Sequence, residues 1–202
     1  VRPVVERVFR EYGLPQAIRT DNGPPFASTG VGGLSPLSVW WVKLGIVPER
    51  IQPGHPEENG RHERLHRTLK QETMRPPAAT VVAQQQRCDT FREEYNTQRP
   101  HQSLGQVPPA TWYAPSARPY PARLEAPQYP ALTEVRRVRS NGQIKWRGEL
   151  VFLSEALVGE MVGITEGHDS WLVSFGPIPL GRLRPGQQKL DRHSPGPAYM
   201  PY

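Results

Sequence analysis

Asn59-Gly-Arg-His-Glu-Arg-Leu-His-Arg-Thr-Leu-Lys-Gln-Glu72 is the stretch on which the reading of this chain turns. Asn59-Gly60 precedes the first helical turn and Pro76-Pro77 bars continuation, so the pattern predicts a helix from about Arg61 to Thr73. Glu63, Arg67 and Lys70 stand at i, i+4 and i+7 and share one face. Leu65 and Leu69 lie on another face and can anchor the helix. A carboxylate flanked by two cations on an exposed stripe suits a metal-assisted phosphate site, the carboxylate holding the ion and the cations holding backbone phosphates. The bland alternative is a solvated helix laced with i,i+4 ion pairs. A rival lies in the same residues. His62-Glu63-Arg64-Leu65-His66 matches H-E-x-x-H, in which two histidines hold zinc and the glutamate acts as general base of a peptidase. Against it, the motif sits at the start of its helix, a charged run comes directly after, and no Gly-x-x-His supplies a third ligand.

The surrounding composition narrows the classes. The chain has 202 residues, 25 Lys+Arg against 19 Asp+Glu, and a net charge of +6. That length holds one or two small domains. Hydrophobic residues are 36%, so the core is modest. The 24 prolines, far above the usual share of about 5%, require long extended stretches. A single cysteine, Cys88, excludes an internal disulfide framework and a multi-cysteine zinc site. No apolar run approaches the length of a membrane span, and no signal peptide is evident. The expectation is a soluble, cytoplasmic protein with an anionic partner, no membrane association, and charge that in part serves solubility.

Upstream, Val5, Val8, Phe9 and Tyr12 recur at helical spacing and Gly13 ends that helix. Ala17-Ile18 leads a short strand into Asp21-Asn22-Gly23-Pro24-Pro25. Ser35-Pro36 reads as N-cap and first residue of a helix holding Leu37, Trp40, Trp41 and Leu44. Ile46-Val47 and Arg50-Ile51 are extended, and residues 53–56 form a loop. Downstream, a helix from about Ala79 to Tyr95 turns Val82, Cys88, Phe91 and Tyr95 inward. Seven prolines between residues 107 and 130 favour an extended linker. From Leu132 the period changes to two. Thr133–Arg139, the turn Asn141-Gly142 and Ile144–Trp146 predict a hairpin with a type I′ turn. Further short strands are expected near residues 150–153, 160–165, 171–175 and 178–183, which together argue for a small β-barrel.

Two further groups could carry chemistry. Asp21, at the carboxyl end of a short strand, presents its carboxylate at a sheet rim, where hard divalent cations find oxygen ligands. Asp-Asn-Gly is equally an ordinary Asx turn. Tyr95-Asn96-Thr97-Gln98-Arg99-Pro100-His101 ends a helix in an Arg and His loop that could touch phosphate or pack.

Three blocks in this order carry a resemblance. They are Tyr12-Gly-Leu-Pro15 leading to Asp21-Asn-Gly23, then Asn59-Gly60-x-x-Glu63 with Leu69-Lys70, then Tyr95-Asn96 with Arg99-Pro100-His101 and Leu104. Together they resemble the catalytic core of insertion-sequence transposases of the DDE type, related to retroviral integrases. The resemblance implies an α/β fold, a truncated ribonuclease-H-like integrase core over residues 1–113. A proline-rich linker, 114–130, a small all-β SH3-like DNA-binding barrel, 131–184, and a loose tail, 185–202, would come after it. It implies DNA strand transfer by two-metal phosphoryl transfer with Mg2+ or Mn2+, on DNA at element ends and target, in a nucleoid-associated homo-oligomer. Asp21 matches the second Asp of the triad and Glu63 the Glu, both as catalytic and metal-holding residues. Asn22, Arg64, Arg67, Lys70, Arg99 and His101 fall to DNA binding, with Lys145, Trp146 and Arg147 in the barrel, although Trp146 reads as packing before base stacking. Glu63 stands 42 positions after Asp21, wider than the family's spacing, and residues 30–33, rich in glycine, can absorb the excess. The family's first Asp lies upstream of the helix at residues 1–12, and no Asp precedes Asp21. The expectation is therefore a C-terminal part of such an enzyme, inactive alone, with a DNA-binding remnant as the alternative and the zinc peptidase behind both.

Overall fold

The computed structural model describes residues 1–52, 55 and 60–191. Asn59 and most of the loop expected at 53–56 lie outside the described residues, as does the tail beyond Asp191. The chain is mixed α/β and divides into two compact units: Val1–Arg50 with the residues from Arg118 onward, and Ile51–Ala117.

In the first unit, α1 (Arg2–Tyr12) buries Phe9 and is ended by Gly13 at φ 80°. A parallel pair comes next, β1 (Ala17–Thr20) and β2 (Val47–Arg50), in the register Ala17 to Val47 through Thr20 to Arg50. Between them α2 (Pro36–Lys43) starts from a reciprocal capping box: Ser35 Oγ accepts from Ser38 N at 3.2 Å, and Ser38 Oγ accepts from Ser35 N at 2.8 Å. α2 is covered on nearly all sides because two cores meet on it, Val39 and Val42 facing the β-rich strands and Leu37, Trp40 and Trp41 the residues around α1. Leu37, Trp40, Trp41 and Leu44 join Phe9, Leu14 and Ile46 in one core.

The β-rich part contributes six strands. β3 (Glu134–Arg137), β6 (Met161–Glu166), β7 (Trp171–Phe175) and β8 (Ile178–Leu183) form an antiparallel sheet in that order, while β4 (Gln143–Trp146) pairs with β5 (Glu149–Phe152). Among the described residues these ladders do not close into a barrel. The expected hairpin through Asn141-Gly142 is replaced. β3 pairs with β6, and the tight turn is Arg147-Gly148, with φ of 46° and 91°. Both positive angles are what a two-residue hairpin needs. Gly142 instead closes a turn onto Arg139 O at 2.9 Å, and a Cβ there would press on Phe152 and the Ser154 backbone.

The module boundaries read from proline content differ from the observed division. Val31, Leu34, Val39 and Val42 share a core with Ile144, Val151, Val162, Val173 and Phe175. Lys43 and Glu160 form an ion pair at 2.8 Å with both side chains only about one-fifth exposed. The proline-rich segment has no helix or strand between residues 112 and 133, as its composition requires, yet it is fastened. Arg118 donates to Pro15 O at 2.9 Å, Leu44 O at 2.7 Å and Gly45 O at 3.0 Å. Proline removes backbone donors but leaves such side chains free to dock. Residues 185–191, expected to be loose, return to the sheet. Arg182 and Asp191 exchange backbone bonds at 3.0 and 2.7 Å, and Leu190 is buried.

The second unit holds α3 (Gly60–Thr73) and α4 (Val81–Thr97) packed on each other. Thr73 is buried, and its carbonyl accepts from Gln84 Nε2 at 3.0 Å. Phe91 is buried and Cys88 and Tyr95 are half-buried. Val82, expected inward, is 69% exposed. The inward place in that first turn is taken by Gln84, which also accepts from Ala78 N at 3.0 Å. Gln84 there satisfies two part-buried backbone groups, Thr73 O and Ala78 N.

Candidate functional site

Glu63 stands in the first turn of α3 and Lys70 in its last, the arrangement a helix macrodipole favours. Leu65 and Leu69 are half-buried, whereas Glu63, Arg64, His66, Arg67 and Lys70 are exposed. A hollow of about 530 Å³ is lined by Glu63, His66, Arg67, Lys70, Gln71 and Arg75. The ion pairs formed among the described residues leave out Glu63, Arg64, Arg67 and Lys70. The face is therefore not the self-neutralised stripe of an ordinary charged helix. Three cations line the hollow against one carboxylate, an arrangement that attracts phosphate. Gln71 and Arg75 were not singled out in the sequence; the signal was their continuation of Arg67 at four-residue steps.

His62 and His66 also meet on α3, ring centroids 4.0 Å apart and tilted by 53°. Among the described residues no group of three His, Cys, Asp or Glu side chains could hold a metal ion, so this pair gains no third ligand there.

Asp21 belongs to the first unit and Glu63 to the second. Asp21 follows β1 directly and is exposed; its Oδ1 accepts from Gly23 N at 3.2 Å, the Asx turn of an Asp-Asn-Gly run. Phe26 N and Ala27 N close the turn on Gly23 O, both at 3.1 Å. Asn22 is exposed beside it. Because β1 and β2 are parallel, Asp21 and Arg50 stand at the same end of the pair.

The third motif is drawn into the fold of its own unit. Arg99 Nη2 donates to both carboxylate oxygens of Glu72 at 2.8 Å, and its guanidinium lies 5.8 and 5.6 Å from the Phe91 and Tyr95 rings. His101 packs edge-on against Tyr95 at 4.7 Å, and its Nε2 is buried without a hydrogen-bond partner among the described residues. In the β-rich part Lys145 and Arg147 are exposed, while Trp146 is buried. Trp146 meets Trp171 edge-on at 5.7 Å, and Arg147 lies 4.6 Å over Trp171. Packing, rather than an open face for base stacking, occupies Trp146.

Among the described residues no helix is long and apolar enough to cross a membrane. Residues 44–109 match the model of the integrase core domain. The chain is 35% identical over 103 residues to an uncharacterized 39.2 kDa protein of insertion element IS476 from Xanthomonas euvesicatoria, covering 50% of this chain and 28% of that protein. It is 30% identical over 115 residues to an uncharacterized 31.7 kDa protein of insertion element IS407 from Burkholderia multivorans, covering 56% and 39% respectively. A Gag-Pol polyprotein of baboon endogenous virus is 34% identical over 70 residues, 35% of this chain and 4% of the polyprotein. The matches thus span well under half the length of these relatives. The matched segment takes in β2, α3, α4 and the Arg99–His101 loop, and with them Glu63 and the cations of α3. Over residues 44–109 the chain is thus similar to an integrase core domain and to proteins of insertion elements.

Proposed function

We propose that this chain belongs to a protein that moves DNA by phosphoryl transfer at element ends and target, as a homo-oligomer, on a ribonuclease-H-like core with an SH3-like DNA-binding module. The observation that carries the reading is the charge on α3 that forms no ion pair among the described residues, within the segment that matches an integrase core. Proteins of this family generally work with divalent metal ions. The chemistry of each residue suits Mg2+ or Mn2+: Asp21 and Glu63 are, each in its own unit, exposed carboxylates, hard oxygen ligands with no cation paired to them among the described residues. When bound, such an ion supplies Lewis-acid charge at the reacting phosphate.

The chain's own residues do the rest. Asp21, in the first unit, and Glu63, in the second, would each offer a carboxylate to such an ion. Arg67 and Lys70, with Arg64 and Arg75, hold backbone phosphates along α3, and Asn22 stands beside the Asp21 carboxylate. Lys145 and Arg147 add contacts from the β-rich part. Arg99, His101 and Trp146 act through packing. The two histidines of the H-E-x-x-H run lie along this face, and His66 lines the phosphate hollow.

Duplex affinity of the whole chain, measured by fluorescence anisotropy against salt, tests the reading. Log K falls linearly with log salt, and Arg67→Ala and Lys70→Ala each lower the slope by about one. Affinity indifferent to salt and to both variants overturns it. Duplex binding without any Mn2+-dependent cleavage assigns the chain to DNA binding alone.

A further inference from the structure

Arg19 and Arg50 occupy consecutive register positions at the carboxyl ends of β1 and β2, and their surroundings treat them differently. Arg19 faces Glu49, with Nε and Nη2 at 3.1 and 3.0 Å from Oε2, and is neutralised. Arg50 faces Thr20, next to the strand end that leads into Asp21. Among the described residues no carboxylate pairs with it. Its Nη2 donates to Gly32 O at 2.8 Å. The guanidinium fills the space above Gly33, where an added Cβ would fall on it. Gly33 has φ +59°, so the loop takes a shape that glycine allows and that receives the arginine.

One carbonyl satisfies one of five guanidinium donors. Arg50 is exposed overall, yet the loop desolvates its guanidinium enough to pull its pKa below the ordinary value. Ligands of parallel α/β sheets bind beyond the carboxyl ends of the strands, which is where Arg50 stands. A guanidinium already held by its own backbone loses little freedom when it takes up a planar pair of oxygens.

We propose that Arg50, seated in the 30–33 glycine loop, is a binding position for a DNA backbone phosphate at the Asp21 rim. The inference rests on the DNA-binding reading above and adds a contact outside α3. It is tested on the whole chain by duplex anisotropy against salt. Arg50→Gln weakens binding roughly three- to ten-fold and lowers the salt slope by about one, with the melting curve unchanged. Arg50→Lys keeps the charge and holds the slope near that of the parent. Arg19→Gln removes the same formal charge from a neutralised position and lowers the slope by clearly less than Arg50→Gln. If the parent binds with steep salt dependence and Arg50→Gln leaves its slope unchanged, this inference falls and the DNA-binding reading stands. If Arg50→Gln unfolds the chain, Arg50→Met, which keeps the aliphatic stem without the charge, takes its place: a slope lowered by about one supports the site, and an unchanged slope overturns it. If the parent does not bind duplex, both fall together.

Discussion

Arg99 reaches from the end of α4 to Glu72 near the end of α3, one Nη2 placed 2.8 Å from each carboxylate oxygen. The two side chains are about two-fifths exposed, so solvent screens the pair and its own worth is about 0.5–1 kcal/mol. The guanidinium also covers the Phe91 and Tyr95 rings. Arg99→Ala is therefore expected to lower stability by about 1–2 kcal/mol, and Glu72→Gln by less. Thermal melting measures the loss. The salt slope of DNA binding should not move, and a reduction by about one would make Arg99 a phosphate contact after all.

Lys43 and Glu160 lie 117 positions apart and bind within the first unit. Removing one partner leaves a poorly solvated charge, so Glu160→Gln alone should cost about 1–3 kcal/mol. Replacing both, as Lys43→Met with Glu160→Leu, should recover most of that loss. A double-mutant cycle by denaturant unfolding gives the coupling, and strict additivity would show that the pair contributes nothing.

On the proposed reading, Glu63 would repel DNA when no metal is present and would hold the ion when it is. Glu63→Gln is expected to bind duplex about twofold more tightly in chelator, because one repulsive charge leaves the hollow. It should also lose affinity for Mn2+, read by calorimetry with the metal alone, as should Asp21→Asn. Unchanged Mn2+ affinity in both variants would remove these carboxylates from the metal site.

Tyr129 sends its hydroxyl to Met161 O at 2.9 Å and accepts from Gly176 N at 3.0 Å. Burial raises its pKa above the ordinary 10.0, although the bond from Gly176 opposes the shift. The unfolded chain therefore gives up this proton first as pH rises. The stability contribution is complete below the unfolded value and is lost as pH climbs through the folded one. Among 7 tyrosines, one phenolate should appear late in an ultraviolet titration, and Tyr129→Phe should remove that late component. Seven superimposable titrations would contradict it.

The helices were legible because their signals are local: Ser35-Pro36 caps α2, the Gly13 stop closes α1, and Pro76-Pro77 separates α3 from α4. The strands of the β-rich part were legible from alternation alone. Their pairing was not. Asn141-Gly142 is a local turn signal, and it says nothing of β6, which supplies the partner of β3 from more than twenty residues away. In the candidate site, Glu63, Arg67 and Lys70 could be read from spacing on one helix. Arg50 could not, since its meaning depends on Gly33, and that contact exists only once β1 and β2 have paired. Arg99 and His101 stood out as a motif, but residue type alone does not separate a phosphate contact from a bond to Glu72.

The core that Val39 and Val42 share with Val162, Val173 and Phe175 is split in sequence by the whole of the second unit. During synthesis the ribosome releases α2 long before the strands it must pack against, whereas α3 and α4 find partners in each other as soon as both have emerged. The second unit is thus able to pack before the first does. In that interval Val31, Leu34, Val39 and Val42 lack the strands that cover them in the folded unit.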